Sequence, residues 1–159
     1  MTASDRLGVA LSAAVISLDQ LTKWLVAQGM GLHQSLPVIP GFLSLTHVRN
    51  TGAAFGILAT PSPGLSTAIL VAFSAVAIGL ILWVWVRNRK APRLFVSSLG
   101  LILGGAVGNS IDRLRLGEVV DFLDVYWGSY HWPAFNLADS AITVGVGLLM
   151  IHLLSHKAS

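Results

Sequence analysis

The chain has 159 residues, 54% of them hydrophobic and only 11% charged, against roughly 25% charged in a typical globular protein. With a mean hydropathy of +0.74 there is too little polar surface to coat a water-soluble particle, so the composition excludes a soluble domain and calls for an integral membrane protein, with one domain expected over residues 1–159. The absence of cysteine excludes disulfides, thiolate nucleophiles and Cys-bound metals, and the basic residues behind the net charge of +3 sit in loops beside apolar runs, where they read as topology signals rather than a nucleic-acid surface.

A helix needs about 20 apolar residues to cross a hydrocarbon core, and four segments qualify. The first runs from about Leu7 to Gln28, interrupted only by Asp19 and Lys23. An embedded acid and base, with no small-residue cleavage site after them, argue against a removable signal peptide. Asp19 and Lys23 are four apart and share a helix face. An ion pair that steadies the helix and a functional role both remain open for them.

Next comes a segment expected outside the membrane, about Gly29 to Gly64, with Pro37, Pro40, Pro61 and Pro63. Within it, "FLSLTHVRN" has strand character. A small sheet resting on the membrane surface is expected here. The second span, Leu65 to Val86, carries no charge. The loop after it supplies Arg87, Arg89, Lys90 and Arg93, and the positive-inside rule places it in the cytoplasm together with both termini. Arg6 and Lys157 agree with that orientation.

The third span, Leu94 to Ile111, carries Gly100, Gly104 and Gly108 on one face, which lets a neighbouring backbone approach closely. A second outer segment, Asp112 to Phe135, follows and contains Arg113 and Arg115. The fourth span runs from Asn136 to Ser155, with Asp139 about one turn from its start. Trp24, Trp83, Trp85, Trp127 and Trp132 fit interface anchoring.

Acids at a membrane boundary are costly and mark function by default. Asp112 has Arg113 beside it, so local capping or pairing competes with a functional role. Asp121, within "VVDF", and Asp139 have no basic neighbour in sequence, and the loop between them can fold back to bring them together. Two carboxylates in contact share a proton; the charged one can activate water while the neutral one donates to a carbonyl, the logic of aspartic proteases. From the residues alone a proton-relay or ion-binding pair in a small carrier stands equally open, and a non-enzymatic scaffold is disfavoured by the cost of partnerless acids. No HExxH or G-x-S-x-G motif is present. His131 reads as a surface-loop residue, and His152 and His156 as interface residues at the cytoplasmic end.

"DQLTK" (Asp19–Lys23), "RNTGAAFG" (Arg49–Gly56), "GNSIDR" (containing Asn109, Asp112 and Arg113), "VVDF" (Val119–Phe122) and "FNLADS" (Phe135–Ser140) occur in this order. This pattern resembles lipoprotein signal peptidase, or signal peptidase II, across nearly the whole chain. The resemblance implies an all-α membrane protein with four spans and a small extracytoplasmic sheet. It implies a monomeric, multi-pass enzyme of the bacterial cytoplasmic membrane with its active site near the outer face. Its substrates would be diacylglyceryl prolipoproteins within membrane lipid, cut before the lipidated lipobox cysteine. No metal or organic cofactor is expected, and globomycin-like cyclic peptides are the expected inhibitors. The family's catalytic aspartates fall on Asp121 and Asp139, and its other motif positions on Asp19, Lys23, Asn50, Gly52, Asn109, Asp112, Arg113 and Asn136.

Overall fold

A computed structural model describes residues 2–52 and 63–157, with backbone alone at residues 63, 156 and 157. Part of "RNTGAAFG" and Pro61 therefore lie outside the described residues, as does the side chain of His156. In chain order the elements are α1 (Ala3–Gly29), β1 (Ser35–Ile39), β2 (Leu43–Asn50), α2 (Pro63–Arg87), α3 (Arg93–Leu116), β3 (Val119–Trp127), β4 (Tyr130–His131) and α4 (Leu137–Lys157).

All four helices are long and apolar enough to cross a membrane. Each extends past the apolar run that announces it, because helix ends are set by caps rather than by hydropathy. At the start of α1, Thr2 accepts from the Asp5 N–H while the Asp5 carboxylate accepts from the Thr2 N–H, a reciprocal capping box. The largest extension is in α3, which continues to Leu116 and stops where Gly117 turns left-handed (φ 77°). Asp112 and Arg113 thus belong to a helix and not to an outer loop.

α3 is the hub, in contact with α1, α2 and α4. Small residues permit this. A Cβ on Gly100 would lie 2.5 Å from the Gly8 carbonyl oxygen of α1, and one on Gly105 would strike the Ala138 carbonyl of α4. Ser12 reinforces the first seam by donating to the Gly100 carbonyl at 2.7 Å. Trp85 departs from its expected interfacial role. It is buried with Val96 and Leu99, lies against Gly8, and donates its indole N–H to Asp5 at 3.0 Å. A buried indole needs an acceptor, and the helix-capping carboxylate provides one. Trp24, Trp83, Trp127 and Trp132 remain exposed.

The strands form one antiparallel order, β1-β2-β3-β4. β3 comes from the second outer segment, so the sheet joins both outer segments rather than resting on the first alone. In register, Val48 faces Asp121 and Asn50 faces Val119, which makes Asn50 and Asp121 diagonal neighbours on one sheet face. The Phe122 and Leu123 N–H groups both donate to the Phe135 carbonyl, and the Phe135 N–H returns to Leu123. Those three bonds pin the end of the loop onto β3, so that α4 must begin beside Asp121.

Candidate active site

The site is assembled from five elements. Asp121 is 2% exposed on β3. Its Oδ1 accepts from Asn136 Nδ2 at 2.7 Å and its Oδ2 from Asn50 Nδ2 at 2.9 Å. Asn50 is aimed by the turn after β2: its Oδ1 accepts from the Gly52 N–H at 2.8 Å. Gly52 has φ 80°, and a Cβ there would collide with Leu70 of α2, so both conformation and space require glycine.

Asn136 is the N-cap of α4 and is fully buried. Its Oδ1 accepts from the Asp139 N–H at 3.0 Å, while Asp139 Oδ2 accepts from the Asn136 N–H at 3.2 Å. This is a capping box made with acid and amide. Asn136 therefore stands between the two carboxylates, donating its side-chain Nδ2 to Asp121 and its backbone N–H to Asp139. Asp139 Oδ1 also accepts from Asn109 Nδ2 at 2.7 Å. Its place in the first turn of α4 sets its charge against the positive end of the helix dipole.

Behind this pair lies a buried ionic cluster. Lys23 Nζ reaches Asp19 Oδ2 at 2.8 Å, Asp112 Oδ2 at 3.0 Å and Asn109 Oδ1 at 2.9 Å. Asp19 Oδ1 accepts from the Ala138 N–H in the first turn of α4 at 2.9 Å, and Asp112 Oδ2 accepts from the Val120 N–H of β3 at 3.2 Å. The Asp19–Lys23 pair thus does more than steady one helix: it ties α1 to α3 and α4, and Asp112 extends the cluster to β3. Asp112 bonds across to Lys23 and Val120 rather than capping its own helix. Gln20, which the sequence reading passed over, donates to Asp112 Oδ1 at 2.8 Å and to the Gly108 carbonyl at 3.2 Å. A lone amide next to Asp19 inside an apolar span was the available signal. Asp19 comes this close to α3 because residue 108 is glycine; a Cβ there would lie 2.7 Å from Asp19 Oδ2.

Four carboxylates, Asp19, Asp112, Asp121 and Asp139, share this region with two cations, Lys23 and Arg113. Arg113 donates to the Asn109 carbonyl at a long 3.5 Å, its Nε has no hydrogen-bond partner among the described residues, and its charge faces Asp139, Asp121 and Asp112. The excess of negative charge favours retention of a proton. Burial pushes the Asp121 carboxyl up to about 6; its bonds from Asn50 and Asn136 resist that rise, and the charge of Asp139 adds to it.

Three grooves meet here. Asp121 opens into one of about 290 Å³ lined by Arg49, Asn50, Thr51 and Pro133 on the sheet side. Asp139 borders one of about 430 Å³ beside Trp132, Phe135 and Thr143, and another of about 370 Å³ with Phe73, Ala106, Arg113 and Ile142. Asp121 therefore faces a cleft on the sheet side, and Asp139 faces one groove along α4 and another between α2, α3 and α4.

Other candidates lie elsewhere. His131 is on the exposed hairpin, 2.9 Å from Asp124 and stacked on Tyr126. His152 packs against Phe95 at the opposite end of the bundle. Among the described residues there is no cluster of three His or acidic side chains suited to a metal ion.

A family model described as Signal peptidase (SPase) II matches residues 11–155. A protein named lipoprotein signal peptidase from Geobacter sulfurreducens is 54% identical over 140 residues, covering 88% of this chain and 86% of that protein. One of the same name from Desulforapulum autotrophicum is 48% identical over 147 residues, covering 92% and 91%. A solved structure described as a bacterial membrane enzyme superposes with a TM-score of 0.83 at 35% identity, covering 92% of each chain.

Proposed function

The chain belongs to the signal peptidase II family, and from that premise we propose an intramembrane aspartic endopeptidase that removes the signal peptide of diacylglyceryl prolipoproteins before the lipidated lipobox cysteine. The observation that carries this reading is Asn136 set between the carboxylates of Asp121 and Asp139, its side chain bonded to the first and its backbone N–H to the second, with a cleft on the sheet side at Asp121 and grooves along the helices at Asp139. A substrate with a signal helix, a polypeptide continuing outward and a lipid asks for those surroundings. In this reading the loop of Arg87 to Arg93 and both termini are cytoplasmic, and the active site is near the outer face of the cytoplasmic membrane.

Asp139, at the positive end of α4, is the ionised member and takes a proton from water as the water oxygen attacks the scissile carbonyl. Asp121, the more buried acid, holds the shared proton and gives it to the carbonyl oxygen as negative charge develops there. On collapse, Asp139 passes its proton to the leaving cysteine nitrogen and Asp121 recovers its own from the hydroxyl, which regenerates the pair. Substrate binding excludes water and raises Asp121 further, so the proton stays in place at neutral pH. Asn50, Asn109 and Asn136 hold the carboxylates, Arg113 faces the substrate channel, and Gly52, Asp112, Asp19 and Lys23 fix the frame. This chemistry asks for no metal or organic cofactor. The chain acts as a monomer, and a globomycin-like cyclic peptide would compete for the cleft.

The test is a gel-shift cleavage assay with purified diacylglyceryl prolipoprotein in lipid or detergent. Asp121→Asn and Asp139→Asn should each abolish processing while still binding substrate. Normal turnover by either variant removes that residue from the mechanism.

A further inference from the structure

A separate groove of about 280 Å³ lies at the other end of the bundle, lined by Val9, Ser12, Leu82, Val86, Arg89 and Leu103, with Asp5 and Trp85 at its closed side. It exists because α2 rests on α3 and approaches α1 through the Trp85 side chain, whose indole lies on Gly8 and bonds to Asp5. Beyond that contact the two helices leave a trough with Leu103 of α3 as part of its lining. Its polar groups are already occupied: Ser12 bonds to the Gly100 carbonyl, and the Asp5 oxygens accept from Trp85 and Thr2. Val9, Leu82 and Val86, each 45–56% exposed, give the trough an apolar lining.

The mouth is basic. Arg89 borders it and faces Asp5, and Arg6, Arg87, Lys90 and Arg93 are its neighbours in sequence or on the same loop. Arg87 lies over the exposed Trp83 ring at 5.4 Å, a posture suited to the headgroup zone. Arg89 thus faces a carboxylate that is already bonded twice, and the loop that carries it adds further positive charge. From Arg93, where α3 begins, to Asn109 in the catalytic cluster is 16 residues, about 24 Å along the helix axis. The mouth of the groove is therefore at the opposite end of the bundle from the acids, and the trough runs inward from it to Leu103.

We infer that this groove is a binding site for an anionic phospholipid, with one acyl chain in the trough and its phosphate at Arg89. The occupant fills the gap between α1 and α2 and fastens α2, the helix with the fewest neighbours, to the rest of the bundle. An acyl chain matches the apolar lining, and a negative headgroup matches a mouth carrying excess positive charge. Naming the mouth's side as cytoplasmic rests on the orientation proposed above; the site itself does not.

The experiment uses the full chain in nanodiscs doped with photoreactive acyl-chain phosphatidylglycerol or the matching phosphatidylcholine, with adducts mapped by mass spectrometry. Adducts from the phosphatidylglycerol probe should concentrate on Val9, Leu82, Val86 and Leu103 and exceed those from phosphatidylcholine. Arg89→Gln should lower labelling by the anionic probe about fivefold, the effect of one basic group at an anionic surface. Val9→Trp, which fills the trough, should remove groove adducts for both probes. Phosphatidylglycerol should raise the thermal midpoint of the wild type in detergent more than that of Arg89→Gln. Equal labelling by the two lipids, adducts spread evenly over all lipid-facing helices, or labelling unchanged in both variants would overturn the assignment. Asp121→Asn should label as the wild type does, so loss of peptidase chemistry and loss of the lipid site are read separately.

Discussion

Replacing Asp121 with asparagine separates the chemical from the structural consequences of its carboxylate. In the folded protein this carboxyl titrates at about 6, above its ordinary 3.8. A carboxyl raised by folding contributes stability that is fully present below about pH 3.8 and is lost as pH climbs through about 6. At about 1.36 kcal/mol per pH unit, the fold gives up about 3 kcal/mol across that window to carry the buried charge. The substituted amide never ionises and escapes this loss. It brings its own cost, because position 121 receives two amide donors, Asn50 Nδ2 and Asn136 Nδ2, and an asparagine there sets its own NH₂ against one of them, worth roughly 1–3 kcal/mol. The two effects nearly cancel above pH 7, whereas below pH 4 the variant is the weaker protein. Thermal unfolding of both proteins in detergent from pH 4 to 8, followed by tryptophan fluorescence, should therefore show curves that converge as pH rises. Prolipoprotein processing by the variant should be absent throughout. Parallel stability curves would refute the buried-charge reasoning, and residual cleavage near wild-type rates would refute the assigned proton donor.

Asn136→Ala removes the α4 cap and the side-chain link to the Asp121 carboxylate while keeping the backbone N–H that Asp139 accepts from; it should cost about 1 kcal/mol of stability for the cap and reduce kcat in the processing assay by at least about a hundredfold, as expected when general acid–base groups lose alignment. Lys23→Met leaves Asp19 and Asp112 buried without their cation and should destabilise by roughly 3–5 kcal/mol, read as early thermal unfolding and poor recovery on gel filtration. Gly52→Ala forces a left-handed alanine into contact with Leu70; it should cost about 1–2 kcal/mol from the backbone alone and lower processing, with Leu70→Ala in the same chain relieving the crowding but not the backbone strain. Accessibility tags at Asn88 and Ser129 should report opposite sides of the membrane, and labelling from the same side would reverse the orientation proposed for the loops.

Hydropathy determined the class of molecule and the number of helices, because transfer of a side chain into lipid depends mainly on that side chain and its near neighbours in sequence. The order of motifs carried the family, and the awkward placement of charges singled out the acids: Asp19, Asp121 and Asp139 stood out as carboxylates in apolar flanks. Where hydropathy is silent, the tertiary structure decided. α3 runs on through Asp112 and Arg113 because Lys23 and the Val120 N–H, distant in sequence, satisfy Asp112 within the bundle. Trp85 is buried because Gly8 leaves room and Asp5 accepts its N–H. The place of Asn136 between two carboxylates follows from Phe135 being tied to β3. Such contacts join residues as far apart as 119 positions, as between Asp19 and Ala138. A buried polar group takes whichever partner the packed chain brings within hydrogen-bond reach, and that choice exists only once helices and sheet have closed around it.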